Sequence, residues 1–162
     1  VCCIANVAEA WTAIDAGASA LGLVTAMPSG AGVISDQAAT EIARQIPPGI
    51  DTFLLTSRQD AASITEQHRQ IRTTTLQLVD RVEPSELRRL RADLPGIRLV
   101  QVIHVTGEHA IATAHAVAGL VDAVLLDSGR DQGDCAQRTS ASDVRRRDPS
   151  LRERHRDRTA AP

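Results

Sequence analysis

The sequence predicts a parallel α/β fold, and three observations carry that prediction. Short β-branched, apolar runs alternate with helix-period segments five times over, and a sixth run closes the series. The unit recurs about every 20–25 residues, a spacing that suits a strand, a helix and two short connections. The strands are nearly continuous apolar runs rather than clean alternations, as expected of strands covered on both faces.

The elements follow in order. VCCIA (1–5) precedes Asn6, a candidate N-cap, and the helical VAEAWTAIDAG. ALGLVT (20–25) leads through a Pro/Gly loop to SDQAATEIARQI, which Ser35 is placed to cap. DTFLLT (51–56) precedes Ser57 and DAASITEQHRQI; TLQLV (75–79) precedes VEPSELRRLRADL. IRLVQVIHV (97–105) precedes TGEHAIATAHAVAG, and VDAVLLD (121–127) is the sixth strand. AGA at 16–18, PPG at 47–49, PG at 95–96 and Gly119 are sensible helix stops.

A parallel sheet of this kind is either doubly wound or a (β/α) barrel. A dinucleotide-binding sheet opens with a glycine-rich turn after its first strand, and CCIANVAEA has no glycine. The unusual residues also collect at strand C-termini: Cys2 and Cys3, the 27–34 loop, Asp80, His104 and Asp127. Barrel enzymes keep their chemistry there, each strand donating to a common mouth. The barrel is the better reading.

Composition excludes several classes. Net charge is −2 and the chain has no lysine, all 18 basic residues being arginine, so no overall charge excess points to nucleic acid. Aromatic content is 1%, so the core must be aliphatic. No apolar run approaches the ~20 residues of a membrane helix, and no signal-peptide pattern stands at the start, so a cytoplasmic location is expected. Three cysteines, Cys2, Cys3 and Cys135, form neither a disulfide framework nor a zinc motif, and no cofactor or metal is expected.

The grammar stops at Gly129. Residues 1–129 carry net charge −5, and residues 130–162 carry +3 with nine arginines and only Val144 and Leu151 as branched aliphatics. Such a stretch cannot bury enough apolar surface to offset its ordering entropy, so a disordered, Arg-rich tail is expected after a 1–129 barrel domain. The tail has no aromatics for stacking on bases, and nucleic-acid binding is not expected of it.

VCCIANVAEAWTAIDAGASALGLV resembles the opening of the phosphoribosylanthranilate isomerase family, K-I-C-G-I-T-N followed by E-A-G-A-D-A-L-G-F. PSGAGVISDQAATEIARQIPPG resembles its K-S-P-R-Y-V-S, helix and P-P turn; LQLVD stands where the family has V-Q-L-H-G, and AVLLDS where it has L-L-D-S. The resemblance spans residues 1–129 in order. It implies a partial (β/α)8 TIM-type barrel of about six strands and five helices. It implies the Amadori rearrangement of N-(5'-phosphoribosyl)anthranilate, a phosphosugar, in tryptophan biosynthesis, without a cofactor. It also implies the general base at Cys2 and the general acid at Asp127. His104, at a similar strand-end position, is a backup acid/base or a polar rim residue.

The departures matter. Gly32 stands where the family has the Arg of S-P-R, which grips the anthranilate carboxylate; Val79 and Asp80 stand for the His and Gly of Q-L-H-G. Nothing after Gly129 matches G-G-T-G or the seventh and eighth strands. The alternatives are a catalytically inactive remnant, truncated or frameshifted at Gly129, and a partial-barrel binding or regulatory module. Open strand edges lead to an expectation of self-association.

The bland readings complete the list. Cys2 and Cys3 on a buried strand could be simple core residues, with strand alternation sending only one of them into the barrel. SGAG at 29–32 is a weak phosphate-cradle signal. His68, His109 and His115 are expected on solvated helix faces.

Overall fold

The apolar runs assemble into one parallel sheet whose strands follow chain order. In the computed structural model, which describes residues 1–28 and 32–128, the strands are β1 (Ala20–Val24), β2 (Asp51–Thr56), β3 (Thr75–Leu78), β4 (Arg98–His104) and β5 (Ala123–Asp127). Between them run α2 (Asp36–Gln45), α3 (Ala61–Ile71), α4 (Pro84–Asp93) and α5 (His109–Val117), with α1 (Val7–Asp15) ahead of β1. The sheet order is β1-β2-β3-β4-β5, every pair parallel. A doubly wound sheet reverses its direction once; this one never does. That progression is the barrel-type arrangement.

Strand period puts alternate residues on opposite faces. Leu21, Leu23, Leu54, Leu76, Leu78, Leu99 and Ile103 share a core with Ala10, Ile42, Ile64, Leu87, Leu90 and Val117 of the five helices. The helices therefore cover one face. Val24, Leu55 and Val102, of the other parity, are buried on the opposite face. With two aromatic residues in the chain, Trp11 and Phe53, leucine carries most of this packing, each fully buried side chain contributing about 1.5–3 kcal/mol.

The expected caps form. Asn6 accepts from Glu9 N, and Glu9 Oε2 reaches back to Ala5 N at 2.8 Å, a capping-box-like exchange. Ser35 accepts from Ala38 N. Asp60 caps α3, and Pro84 opens α4 at the position that tolerates a missing N–H.

The sequence suggested six strands, the first of them at 1–5. Instead this segment runs beside β1 without strand geometry. Gly22 N donates to Val1 O at 2.8 Å, and Ile4 N donates to Gly22 O at 3.2 Å. In a regular parallel ladder the second donor follows the first acceptor by two residues. Here it follows by three, so one extra residue is accommodated, as in a bulge. Cys3 absorbs it, with a positive φ of 62°.

Buried polar side chains tie the helices to the strand ends where barrels keep their chemistry. Gln67 of α3 accepts from Thr56 Oγ1 at 2.8 Å and donates to Asp36 Oδ1 at 2.8 Å and Thr25 Oγ1 at 3.1 Å. Gln101 of β4 donates to the Asp80 and Leu78 carbonyls and accepts from Val82 N. It shapes the turn after β3.

Asp122 anchors the entry to β5. Its Oδ2 accepts from Leu99 N at 2.7 Å and pairs with Arg91 at 2.8 Å. The Leu99 amide, then the Arg91 guanidinium, hold its carboxyl below the ordinary value of 3.8. A depressed folded-state value adds stability above 3.8 that is lost as pH falls through the folded value. Asp122→Asn is expected to lower stability at pH 7 and to flatten the acid limb below pH 3.8 in chemical denaturation. An acid limb unchanged by the substitution would contradict this.

Candidate functional site

β4 and β5 end together: His104 and Asp127 are partners in the parallel register. Equal parity puts both side chains on the face away from the helices, and His104 Nδ1 lies 3.4 Å from Asp127 Oδ2. The other ring nitrogen, Nε2, is 3.2 Å from the Val79 carbonyl. A carbonyl only accepts, so Nε2 donates there and Nδ1 faces Asp127. Both side chains are about half exposed, at 45% and 53%.

A cleft of about 260 Å³ reaches His104 but not Asp127, lined also by Arg81, Val82, Thr106, His109 and Ala110 among others. It lies between the β3–α4 turn, β4 and α5. Arg81 is engaged with Glu83 at 3.1 Å, and His109 Nε2 is 3.2 Å from Thr106 Oγ1.

At the opposite margin of the sheet, beyond β1, stand Cys2 and Cys3. Strand alternation was expected to send one inward and to bury both. The positive φ at Cys3 breaks the alternation. Both residues are exposed, and their sulfurs lie 3.9 Å apart. Glycines make the room. A Cβ on Gly22 would meet Cys2 Sγ at 2.9 Å, and one on Gly32 would meet Cys3 Cβ at 2.6 Å. Gly32 itself has φ of +76°.

That contact explains two departures together. Cys3 stands at the Gly of K-I-C-G, and Gly32 stands at the Arg of S-P-R. The side chain gained at one position fills space left by the side chain lost at the other. On this backbone a side chain at 32 would collide with Cys3. Ser29, Gly30 and Ala31, most of the SGAG segment, lie outside the described residues, as do Cys135 and the whole 130–162 tail.

The structure thus brings His104 to Asp127 and Cys2 to Cys3, and it sets the two pairs on opposite margins. His109 and His115 are exposed, as expected, but His68 is not on a solvated face. It is 6% exposed, with Nε2 2.8 Å from the Thr73 carbonyl. The Thr25–Gln67–Asp36–Arg58 network that braces the mouth carried no signal in the sequence, because its members are separated by 9 to 42 residues. No cluster of three metal-ligating side chains occurs among the described residues.

A one-directional parallel sheet with polar and nucleophilic side chains at its strand ends and margins defines the class: a protein of (β/α)-barrel type. Comparison with known proteins narrows it. The N-(5'-phosphoribosyl)anthranilate isomerase of Methanocella arvoryzae is 26% identical over 133 residues, 82% of this chain and 62% of that protein. The N-(5'-phosphoribosyl)anthranilate isomerase 2 of Methanosarcina mazei is 31% identical over 129 residues, 79% of this chain and 57% of that protein. The crystal structure of the Thermotoga maritima phosphoribosyl anthranilate isomerase superposes with a TM-score of 0.70 at 21% identity, over 82% of this chain and 62% of that one. A phosphoribosyl anthranilate isomerase in complex with reduced 1-(o-carboxyphenylamino)-1-deoxyribulose 5-phosphate gives 0.68 at 21% identity, over 78% and 62%. No family model matches the chain. The chain is homologous to the phosphoribosylanthranilate isomerase family and spans about six-tenths of the length of these relatives.

Proposed function

We propose that the chain acts in the Amadori rearrangement of N-(5'-phosphoribosyl)anthranilate, with Asp127 as general acid and Cys2 as general base. One observation carries the reading: the residue matching the Asp of L-L-D-S stands at a strand C-terminus, on the face away from the helices, with His104 Nδ1 3.4 Å from its carboxylate oxygen. Asp127 protonates the ribose ring oxygen; the C1'–O bond breaks as the anthranilate nitrogen forms the Schiff base. The Cys2 thiolate then takes the C2' proton, giving an enolamine that tautomerises to the ketone. A thiolate serves as base only where its surroundings favour it. In barrels of this type the phosphate is held by loops after the late strands. With Gly32 at the Arg position, the anthranilate carboxylate has a weaker hold than in the resembled motif.

Titration calorimetry with reduced 1-(o-carboxyphenylamino)-1-deoxyribulose 5-phosphate tests the substrate class. Saturable binding at one site per chain, weakened by Asp127→Leu, is expected. Absence of heat at millimolar ligand would overturn it.

A second reading concerns assembly, and exposed apolar side chains favour it. Leu125 and Leu126 of β5 are 40% and 65% exposed, and Ile111 of neighbouring α5 is 64% exposed. We infer that the chain self-associates through this margin, and that any closed site is completed by a further chain or segment laid along β5.

A further inference from the structure

We propose that Cys2 and Cys3 form a dithiol chelation site for monosubstituted trivalent arsenicals, the ligand class that needs two thiols and no third donor. Four observations converge. Both side chains are exposed. Their sulfurs stand 3.9 Å apart, an approach that the left-handed backbone at Cys3 creates. Gly22 and Gly32 flank them, and any side chain at either position would intrude on Cys2 or Cys3. No group of three metal-ligating side chains occurs among the described residues, so none of them supplies a four-coordinate cation's remaining donors.

The spacing suits a bridging atom better than a direct bond. Two sulfurs bound to one tetrahedral zinc at about 2.3 Å lie roughly 3.8 Å apart, close to the separation here. A disulfide asks for Cα atoms at least about 4.4 Å apart. Neighbouring residues joined by a trans peptide have Cα atoms only about 3.8 Å apart. Inserting one soft atom between the sulfurs relieves that conflict.

The reaction balances without redox change. Phenylarsine oxide, written R–As=O, takes two thiols; two As–S bonds form, the As=O bond breaks, and its oxygen leaves with the two thiol protons as one water. Arsenic remains trivalent. Occupation also removes the Cys2 thiolate, so it blocks the rearrangement; that consequence alone rests on the function proposed above.

The test uses the full reduced chain and phenylarsine oxide, followed by native mass spectrometry and by counting thiols with Ellman's reagent. The expected result is one arsenical per chain, two thiols protected, and release by a dithiol but not by excess monothiol. Cys2→Ser and Cys3→Ser should each weaken binding at least 100-fold, and Cys135→Ser should leave it unchanged. Equal binding in Cys3→Ser, loss of binding in Cys135→Ser, or tighter capture of zinc than of the arsenical would overturn the assignment. Because no substrate is present, a chain with no isomerase activity leaves this result standing.

Discussion

Asp127→Asn lowers kcat by about 10²–10⁴-fold, the usual worth of a positioned general acid. The amide keeps the size of the carboxyl and can accept the same neighbours, but it has no proton to transfer to the ring oxygen. Because that transfer belongs to the transition state, kcat and kcat/KM should fall together, with KM little changed. His104→Asn should give a smaller loss and alter the pH profile. It removes the ring that faces Asp127 while leaving the carboxyl in place. A fall in affinity with kcat preserved in Asp127→Asn would assign the residue to binding instead. The steady-state rate of fluorescence loss from N-(5'-phosphoribosyl)anthranilate separates these outcomes.

The second large effect is on assembly. In light scattering at tens of micromolar, the chain should run heavier than 17.3 kDa. Leu126→Lys should return it toward that mass. β5 pairs with β4 on one side and has no strand partner on the other among the described residues; Leu125 and Leu126 alternate onto opposite faces of the sheet there and are both exposed. An edge strand with apolar side chains on both faces is a template for pairing, and a lysine there is the common natural guard. Leu126 lies outside the buried core cluster, so the substitution leaves the packed helices intact. A monodisperse monomer before the substitution would contradict the inference.

Much of the fold was legible because it depends on local chemistry. Asn6 and Ser35 cap the helices they precede, and DTFLLT is a strand from its first residue to its last. Barrel-type order followed from the absence of a glycine-rich first turn together with polar residues at strand ends. What escaped depends on distance or on a single dihedral. VCCIA has strand composition, yet one left-handed residue at Cys3 breaks its ladder, and composition does not encode that angle. His68 sits among polar neighbours in sequence but lies on the inner side of α3, within reach of the Thr73 carbonyl. The pairing of His104 with Asp127 across 23 residues follows from sheet register, which no spacing rule supplies. Cys2 and Asp127 came from motif resemblance, and the structure adds the neighbour each one has.

The most direct measurement is the initial rate of fluorescence loss from N-(5'-phosphoribosyl)anthranilate. It compares the full chain with its Cys2→Ala/Asp127→Asn double variant, both verified as folded by circular dichroism. The expected result is conversion above the buffer rate by the native chain and none by the double variant. A folded native chain that does no better than buffer, or a double variant as fast as the native chain, would contradict the assignment of this chemistry to Cys2 and Asp127.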